Sequence, residues 1–229
     1  MNINRILILD FLALKKGKSM RIGILGAGGH GKVVFDLLMA VKSFEIGGVF
    51  DRKFPSIQYS ELPIIGSEND LIHFWRNFRL EEAVVAIGNN QVRERLFSQL
   101  IKTELALPVL IHPSATISSS AVIGPGTVIC GHAFIGPGVL IGADCIVNTG
   151  ANIDHDCLLA DHIHIGPGVN LAGEIEIGCY TFIGIGANVI PGIHIGNRVI
   201  IGAGSTVISD VSDDITAVGT PAREIHSKK

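Results

Sequence analysis

The stretch AVIGPGTVICGHAFIGPGVLIGADCIVNTG, residues 121–150, decides the fold. An aliphatic residue returns at every sixth position (Ile123, Ile129, Ile135, Ile141, Val147), and the register runs on in both directions. From Ile111 to Val207, seventeen consecutive sixth positions are Ile, Leu or Val, with no insertion. A period of six fits neither the 3.6-residue helix nor the two-residue alternation of one strand; it fits short strands joined by tight corners. Three such sides close an eighteen-residue coil, and successive coils stack through parallel β hydrogen bonds. Glycine follows many of the anchors (Gly124, Gly136, Gly142, Gly166, Gly178, Gly184, Gly196, Gly202) and is expected to supply corner conformations with positive φ. Residues 108–229 therefore read as a left-handed parallel β-helix of about five coils with a short C-terminal tail.

The register also gives geometry. Residue i lies beside residue i+18, so His155 stacks on Gly173, which leaves free space beside the imidazole. His164, nine residues from His155, lies one and a half sides around the coil and meets it only between subunits. Flat prism faces of this kind associate side by side, and a closed homotrimer is the expected assembly.

Composition narrows the function. The 229 residues carry 18 basic against 21 acidic side chains, a net charge of -3 with no charged blocks, which excludes a nucleic-acid partner. The mean hydropathy of +0.45 is high, yet no window of about eighteen residues is apolar without charges or repeated glycines, so membrane insertion is not expected. The apolar run in residues 1–19 is interrupted by Asp10 and followed by no small-residue cleavage site, and Met20 directly precedes the first strand pattern. Residues 1–19 are set outside the fold as a leader. The four cysteines (Cys130, Cys145, Cys157, Cys179) have no CxxC spacing and read as reduced thiols of a cytoplasmic protein.

Residues 20–107 alternate strands and helices: RIGILGAGG, HGKVVFDLLMAVKS, EIGGVFD, SENDLIHFWRNF, EEAVVAIG and NQVRERLFSQLIKTEL. That order predicts a Rossmann-like α/β domain with a parallel sheet. Gly26, Gly28 and Gly31 form G-x-G-x-x-G between a strand and a helix, with Asp51 ending the next strand, a context suited to phosphate at a helix N-terminus. With three or four strands instead of six, the sheet suits half a dinucleotide, and a nucleotide-sugar fits as well as NAD. His30 is open to two readings, a phosphate contact or a helix-start residue facing solvent. Gly88-Asn89-Asn90 either offers amides to a base or sugar or is a plain strand-to-helix turn.

GAGGHGKVV, AIGNNQVRE, NTGANIDHDC and AVGTPAREI together resemble the bacterial sugar acetyltransferases of the PglD/NeuD type, within the hexapeptide-repeat acyltransferases. The resemblance spans residues 20–225 and is nearest to the UDP-4-amino-sugar N-acetyltransferases of the bacillosamine pathway. It implies acetyl-CoA as co-substrate, a UDP-amino-sugar as acceptor, His155 as catalytic base and Asp156, where many relatives carry Glu, as its partner. It further implies His164 near the acetyl group, the Gly173 amide at the thioester oxygen, and Asn148 at the sugar. Acetyl-CoA is expected along Ile185 and Ala203 beside the terminal Gly219, Pro221 and Ala222. The nucleotide is expected at Gly28, Gly29, His30, Gly31 and Asp51, with Gly88 and Asn89 nearby.

The chemistry needs these residue types. A sugar amine is mostly protonated at neutral pH, so a base with a pKa near 7 must remove a proton before attack on a thioester, and a backbone amide can hold the resulting oxyanion. Cys157, two residues from His155, points into the coil and is not expected to act as a nucleophile. Competing readings remain. NIDHDCLLADHIHIG, residues 152–166, could bind zinc through His162 and His164 as a same-strand pair with His155 as third ligand, although no metal is expected. A GDP-linked amino sugar or a sialic acid hydroxyl could be the acceptor. A non-enzymatic nucleotide-sugar or NAD sensor would use the coils only to trimerise. His132 and His194 read as outward-facing coil residues.

Overall fold

The structure is a computed structural model that describes residues 6–7, 19–54 and 64–225. From Leu110 onward the chain climbs a triangular prism. Its two-residue strands sit at every sixth step and pair in parallel with the strand eighteen residues away, as in Phe134 with Asn152, Leu140 with Leu158 and Ile146 with His164. The sixth-position aliphatics point inward: Ile129, Ile135, Val147, Ile153, Ile165, Ile183, Ile195 and Ile201 are fully buried in one continuous core. Each such side chain contributes about 1.5–3 kcal/mol relative to exposure. That inward column is the source of the high hydropathy; among the described residues no helix is long and apolar enough to cross a membrane.

One expectation about the coils is corrected. The glycines after the anchors are not the positive-φ residues. They sit where neighbouring coils approach most closely; a Cβ on Gly136 would lie 2.9 Å from the backbone of Asp154 and His155. The left-handed corners fall elsewhere, at Gly126, Gly138, Gly150, Gly168, Gly186, Gly192 and Gly204, and at non-glycine residues including Asp144, Asp156, His162, Glu174, Tyr180 and Arg198. Hydrogen bonds between coils hold those corners: Glu174 N donates to His155 O at 2.9 Å and Gly192 N to Gly173 O at 3.0 Å.

The N-terminal unit is a four-stranded parallel sheet in the order β4-β3-β2-β5, with β2 Met20–Leu25, β3 Phe44–Phe50, β4 Ile64–Gly66 and β5 Glu82–Val85. Helix α1 (Gly29–Val41) covers one face and carries Val34, Leu37 and Leu38 against Leu110 and Val128 of the prism. Helices α2 (Glu68–Phe74) and α3 (Asn90–Leu100) cover the other, where Leu71, Leu96, Phe97 and Leu100 meet Leu25, Phe50 and Ala143. Ser67 and Asp70 close a capping box on α2, and the Asn89 side chain caps α3. Within the leader, β1 (Ile6–Leu7) pairs antiparallel with Val122–Ile123 at the edge of one prism face, so these two residues join a sheet instead of standing apart from the fold. The other residues of 1–18 lie outside the described residues.

A buried cation joins the two units. Arg93 is 1 % exposed; its guanidinium donates to the carbonyls of Asp144 (2.8 Å) and His162 (2.9 Å) and lies 3.3 Å from the equally buried Asp144 carboxylate. Burial pushes the arginine pKa down and the Asp144 carboxyl up, so each ion depends on the other. Replacing Arg93 with alanine is expected to cost about 3–5 kcal/mol because Asp144 is left buried and unpaired. A lower urea midpoint, partly restored in the Arg93→Ala, Asp144→Ala double variant, would establish the pair; equal midpoints for the two variants would assign the loss to packing.

Candidate active site

The carboxyl ends of β2 and β5 flank the point where the strand order reverses, the place where open α/β sheets bind ligands. A cleft of about 310 Å³ opens there, lined by Gly28, Gly29, His30, Asp51, Gly88 and Asn89 among others. The N-cap of α1 is Gly28, which has no side chain to cap the first turn, so its amides face the cleft. Asp51 organises this loop from within: its two oxygens accept the N–H groups of Ala27 (2.9 Å) and Lys53 (3.0 Å). Gly31 does not line the cleft, contrary to expectation. It lets the helix approach the strand, since a Cβ there would meet the Gly26 carbonyl.

His30 and His164 face each other from the two units, with ring centroids 6.4 Å apart. His164 Nδ1 donates to Gly88 O at 3.1 Å when Nε2 accepts from Asn148 Nδ2 at 3.4 Å, a tautomer that occupies both ring nitrogens. Burial holds the His164 pKa at about 4, against the opposing hydrogen bond to Gly88 and with the Arg93 charge adding to the shift. Burial holds His30 at about 3, with His164 and Arg93 adding to the shift, and its Nε2 is buried without a partner. His30 is thus a neutral imidazole, unlike a cationic phosphate clamp. Gly88 and Asn89 continue into a second hollow whose far wall is His164, Tyr180, Phe182 and Arg198.

His155 lies at another edge of the prism. Its Nδ1 is 3.0 Å from Asp156 Oδ2, and the carboxylate raises the histidine pKa above its ordinary value by hydrogen bonding to the imidazolium. The imidazole occupies the place a Gly173 side chain would take; a Cβ there would overlap the ring. Gly138 makes the same allowance for Asp156 one coil below. The Gly173 N–H donates no hydrogen bond among the described residues. Cys157 is buried and its thiol donates to Ala172 O at 3.1 Å, while burial raises its pKa, so it cannot serve as a thiolate there.

The remaining predicted residues share a third edge. Ile185 and Ala203 stack at one corner, Gly204 N donating to Ile185 O at 2.8 Å. The terminal turn folds onto the next step, where Gly219 N donates to Ser205 Oγ at 3.1 Å and Ala222 N to Thr206 O at 2.7 Å, carrying Pro221 alongside. Within one chain, His164 and Asn148 join the cleft, His155, Asp156 and Gly173 form a second group, and Ile185, Ala203 and Pro221 a third. The same-strand His162–His164 pair is corrected. His162 is a corner residue with φ 61°, its Nδ1 2.8 Å from Asp144 Oδ2 and its ring stacked on Tyr180 at 5.1 Å. Among the described residues no three His, Cys, Asp or Glu side chains converge as a metal site.

Arg93 and Asp144 are the functional neighbours that sequence reasoning missed. Arg93 occupies the apolar stripe of α3 with Leu96, Phe97 and Leu100, a cation at a core position, and that spacing is the available signal.

Half a Rossmann fold joined to hexapeptide coils, with a histidine–carboxylate pair over a bare glycine, defines a hexapeptide-repeat transferase. Residues 21–100 match the PglD N-terminal domain family and residues 174–209 the bacterial transferase hexapeptide (six repeats). The acetyltransferase domain of PglB from Neisseria gonorrhoeae FA1090, solved with acetyl coenzyme A, is 35% identical with a TM-score of 0.84, over 90% of this chain and 100% of that one. PerB from Caulobacter crescentus, solved with CoA and GDP-perosamine, is 36% identical with a TM-score of 0.84, over 92% of this chain and 98% of that one. The UDP-N-acetylbacillosamine N-acetyltransferase of Bacillus subtilis (strain 168) is 40% identical over 103 residues, 45% of this chain and 48% of that relative, so the match spans about half its length. The chain belongs to the PglD-type family of bacterial sugar acetyltransferases.

Two outcomes follow from this geometry. Gly173 has no positive φ, so Gly173→Ala is expected to fold but to displace His155, lowering acetyl transfer by roughly a hundredfold; unchanged turnover would remove Gly173 from the site. Because the folded pKa values of His30 and His164 are depressed, their stabilising contribution is full above about pH 6.5 and is lost as pH falls toward 4 and then 3. The melting temperature should fall over that range less steeply in a His30→Asn, His164→Asn variant than in the native chain.

Proposed function

We propose that the protein transfers the acetyl group of acetyl-CoA to the 4-amino group of a UDP-linked 4-amino-4,6-dideoxy-N-acetylglucosamine, with His155 as general base. The observation that carries this is the His155–Asp156 pair at 3.0 Å, set on a glycine whose missing side chain gives the imidazole its place; the free space expected beside the ring at Gly173 is filled by the ring itself. With Nδ1–H donated to Asp156, Nε2 keeps its lone pair and accepts the amine proton. The amine attacks the thioester carbonyl directly, the Gly173 N–H is free to meet the oxyanion, and the thiol leaves without an acyl-enzyme. The nucleotide occupies the cleft at Gly28, Gly29, His30, Asp51, Gly88 and Asn89, with Asn148 toward the sugar. Acetyl-CoA follows the Ile185–Ala203 edge beside Pro221, and His164 stands near the acetyl group.

The separation of these groups in one chain supports a cyclic homotrimer. The edge that carries His155 and the edge that carries Ile185 and Ala203 bound the same prism face, so around a threefold axis one chain's base comes against its neighbour's acetyl-CoA edge and acceptor cleft. A GDP-linked 4-amino sugar is the second acceptor reading, favoured by the similarity to PerB.

Thiol release from acetyl-CoA, with UDP-4-amino-4,6-dideoxy-N-acetylglucosamine, a GDP-linked 4-amino sugar and sialic acid offered in parallel, tests the assignment. Rapid release with the UDP-amino sugar, insensitive to chelator and lost in His155→Ala with acetyl-CoA affinity retained, is the expected result. Release with another acceptor alone would move the substrate, and the absence of both release and acetyl-CoA binding would favour a sensor. Asp156→Asn removes the group that raises the His155 pKa, so the acid limb of the pH–rate profile should move to lower pH.

A further inference from the structure

The cleft is lined by two acids, Asp51 and Glu68, and they are not equivalent. A dinucleotide-binding fold reads the ribose with an acid at the end of its second strand, the place of Asp51 here. Both Asp51 oxygens are taken by the Ala27 and Lys53 N–H groups, which fixes the glycine loop. Glu68 stands beside it: Asp51 N donates to Gly66 O at 3.1 Å across β3 and β4, and the chain turns through Ser67 into Glu68, the first residue of α2. Ser67 and Asp70 are committed to each other in the capping box, so this turn is held without the Glu68 side chain. That side chain is 18 % exposed, and among the described residues its carboxylate accepts no hydrogen bond; Arg95 lies 3.8 Å from one oxygen, too long for one. A carboxylate withdrawn from water with its acceptor sites open calls for donors that arrive with a ligand.

Strand order sets the direction of that ligand. The α1 amides at Gly28 and Gly29 lie over β2, an inner strand of the order β4-β3-β2-β5. On the β5 side, Gly88 and Asn89 lead to the hollow walled by His164, the side given above to the reacting sugar. The nucleoside then runs the other way, toward β3 and β4, where Asp51 and Glu68 stand.

Resting on the reading of this cleft as the nucleotide site, we infer that Glu68 recognises the ribose, its two oxygens accepting the 2′ and 3′ hydroxyls. The protein thereby selects ribonucleoside over 2′-deoxyribonucleoside diphosphate sugars. A vicinal diol offers two O–H donors to the two oxygens of one carboxylate, and hydrogen bonds to an ionised acceptor are the strong ones. Uracil is the poorer partner, because its single ring N–H is flanked by two carbonyl oxygens that face the carboxylate as acceptor against acceptor. Arg52 and Lys53 line the same cleft, so Glu68 does not set a net negative field against the diphosphate.

Calorimetric titration of the full chain with UDP, 2′-deoxy-UDP and GDP tests this in the native protein, Glu68→Ala and Glu68→Gln, with melting temperature and acetyl-CoA affinity verifying the fold. The native protein should bind UDP roughly ten- to a hundredfold more tightly than 2′-deoxy-UDP, the range for one hydrogen bond to a charged acceptor. In Glu68→Ala the ratio should shrink to within about twofold through loss of UDP affinity, and Glu68→Gln, which keeps an oxygen and loses the charge, should fall between. With the UDP-amino sugar, Glu68→Ala should raise KM and hold kcat within about twofold, since the ribose contact is the same in ground and transition states. A native protein indifferent to the 2′ hydroxyl, or an unchanged ratio in Glu68→Ala, overturns the inference. Selective loss of GDP in Glu68→Ala with the deoxy ratio unchanged also overturns it, and assigns the carboxylate to a guanine edge. Failure of the nucleotide reading itself looks different: the native protein would then bind none of the three nucleotides, and both readings would fall.

Discussion

The parallel hydrogen bonds between one coil and the next fix which side chains meet along this protein. With residue i held beside residue i+18, a single inserted residue would turn every later side chain to the wrong face, and the aliphatic column would leave the core. The uninterrupted register from Ile111 to Val207 is therefore a positional constraint as much as a source of stability. It is why His155 meets Gly173, why Gly138 makes room for Asp156, and why Asn148 reaches His164 from the coil before it.

Where the two units join, polar contacts set the geometry. Arg93 binds carbonyls from two successive prism corners and also lies within reach of the Ile87 and Gly88 carbonyls at 3.3 and 3.4 Å, so one cation fixes the turn that walls the cleft. His164 holds the same turn from the prism side. A buried ion pair is weak evidence for stability, since two ions must be stripped of water. Its value here is directional: five donors in a planar fork can satisfy several carbonyls in only one orientation of helix and coil. The cleft and the coils are thereby a single rigid frame at Gly88, and a shift in one is felt by the other.

The fold was legible because both halves advertise a period. The six-residue repeat and the strand–helix alternation with its Gly26, Gly28, Gly31 turn are one-dimensional signals, and the stack of His155 on Gly173 followed from arithmetic alone. The conformation of single corners was not legible. Glycine after an anchor is required by coil-to-coil contact, and the left-handed positions fall two residues later, often on Asp, His, Glu, Tyr or Arg. The same shift moved His162 off the strand of His164 and into the Asp144 network. The short strand Ile64–Gly66 escaped because three residues carry no readable alternation, and Arg93 because a charged residue in an amphipathic helix reads as surface until its register against Leu96, Phe97 and Leu100 is counted.

Left-handed non-glycine corners occur on another edge too, at Asp144, His162, Tyr180 and Arg198, but at the candidate site the conformation has a specific use. Along the edge that carries His155, the successive left-handed positions are Gly138, Asp156, Glu174 and Gly192, with φ of 73°, 57°, 61° and 71°. Glycine adopts this conformation freely, whereas another residue gives up roughly 1 kcal/mol or more. The two non-glycine residues flank the imidazole, and glycine returns on either side of them. At Asp156 the left-handed backbone turns the carboxylate onto Nδ1 of the preceding residue, a contact between sequence neighbours that an extended strand, with side chains on opposite faces, cannot make. Strain at this corner is thus coupled to the hydrogen bond that orients the base, and the stacked coils above and below hold it in place.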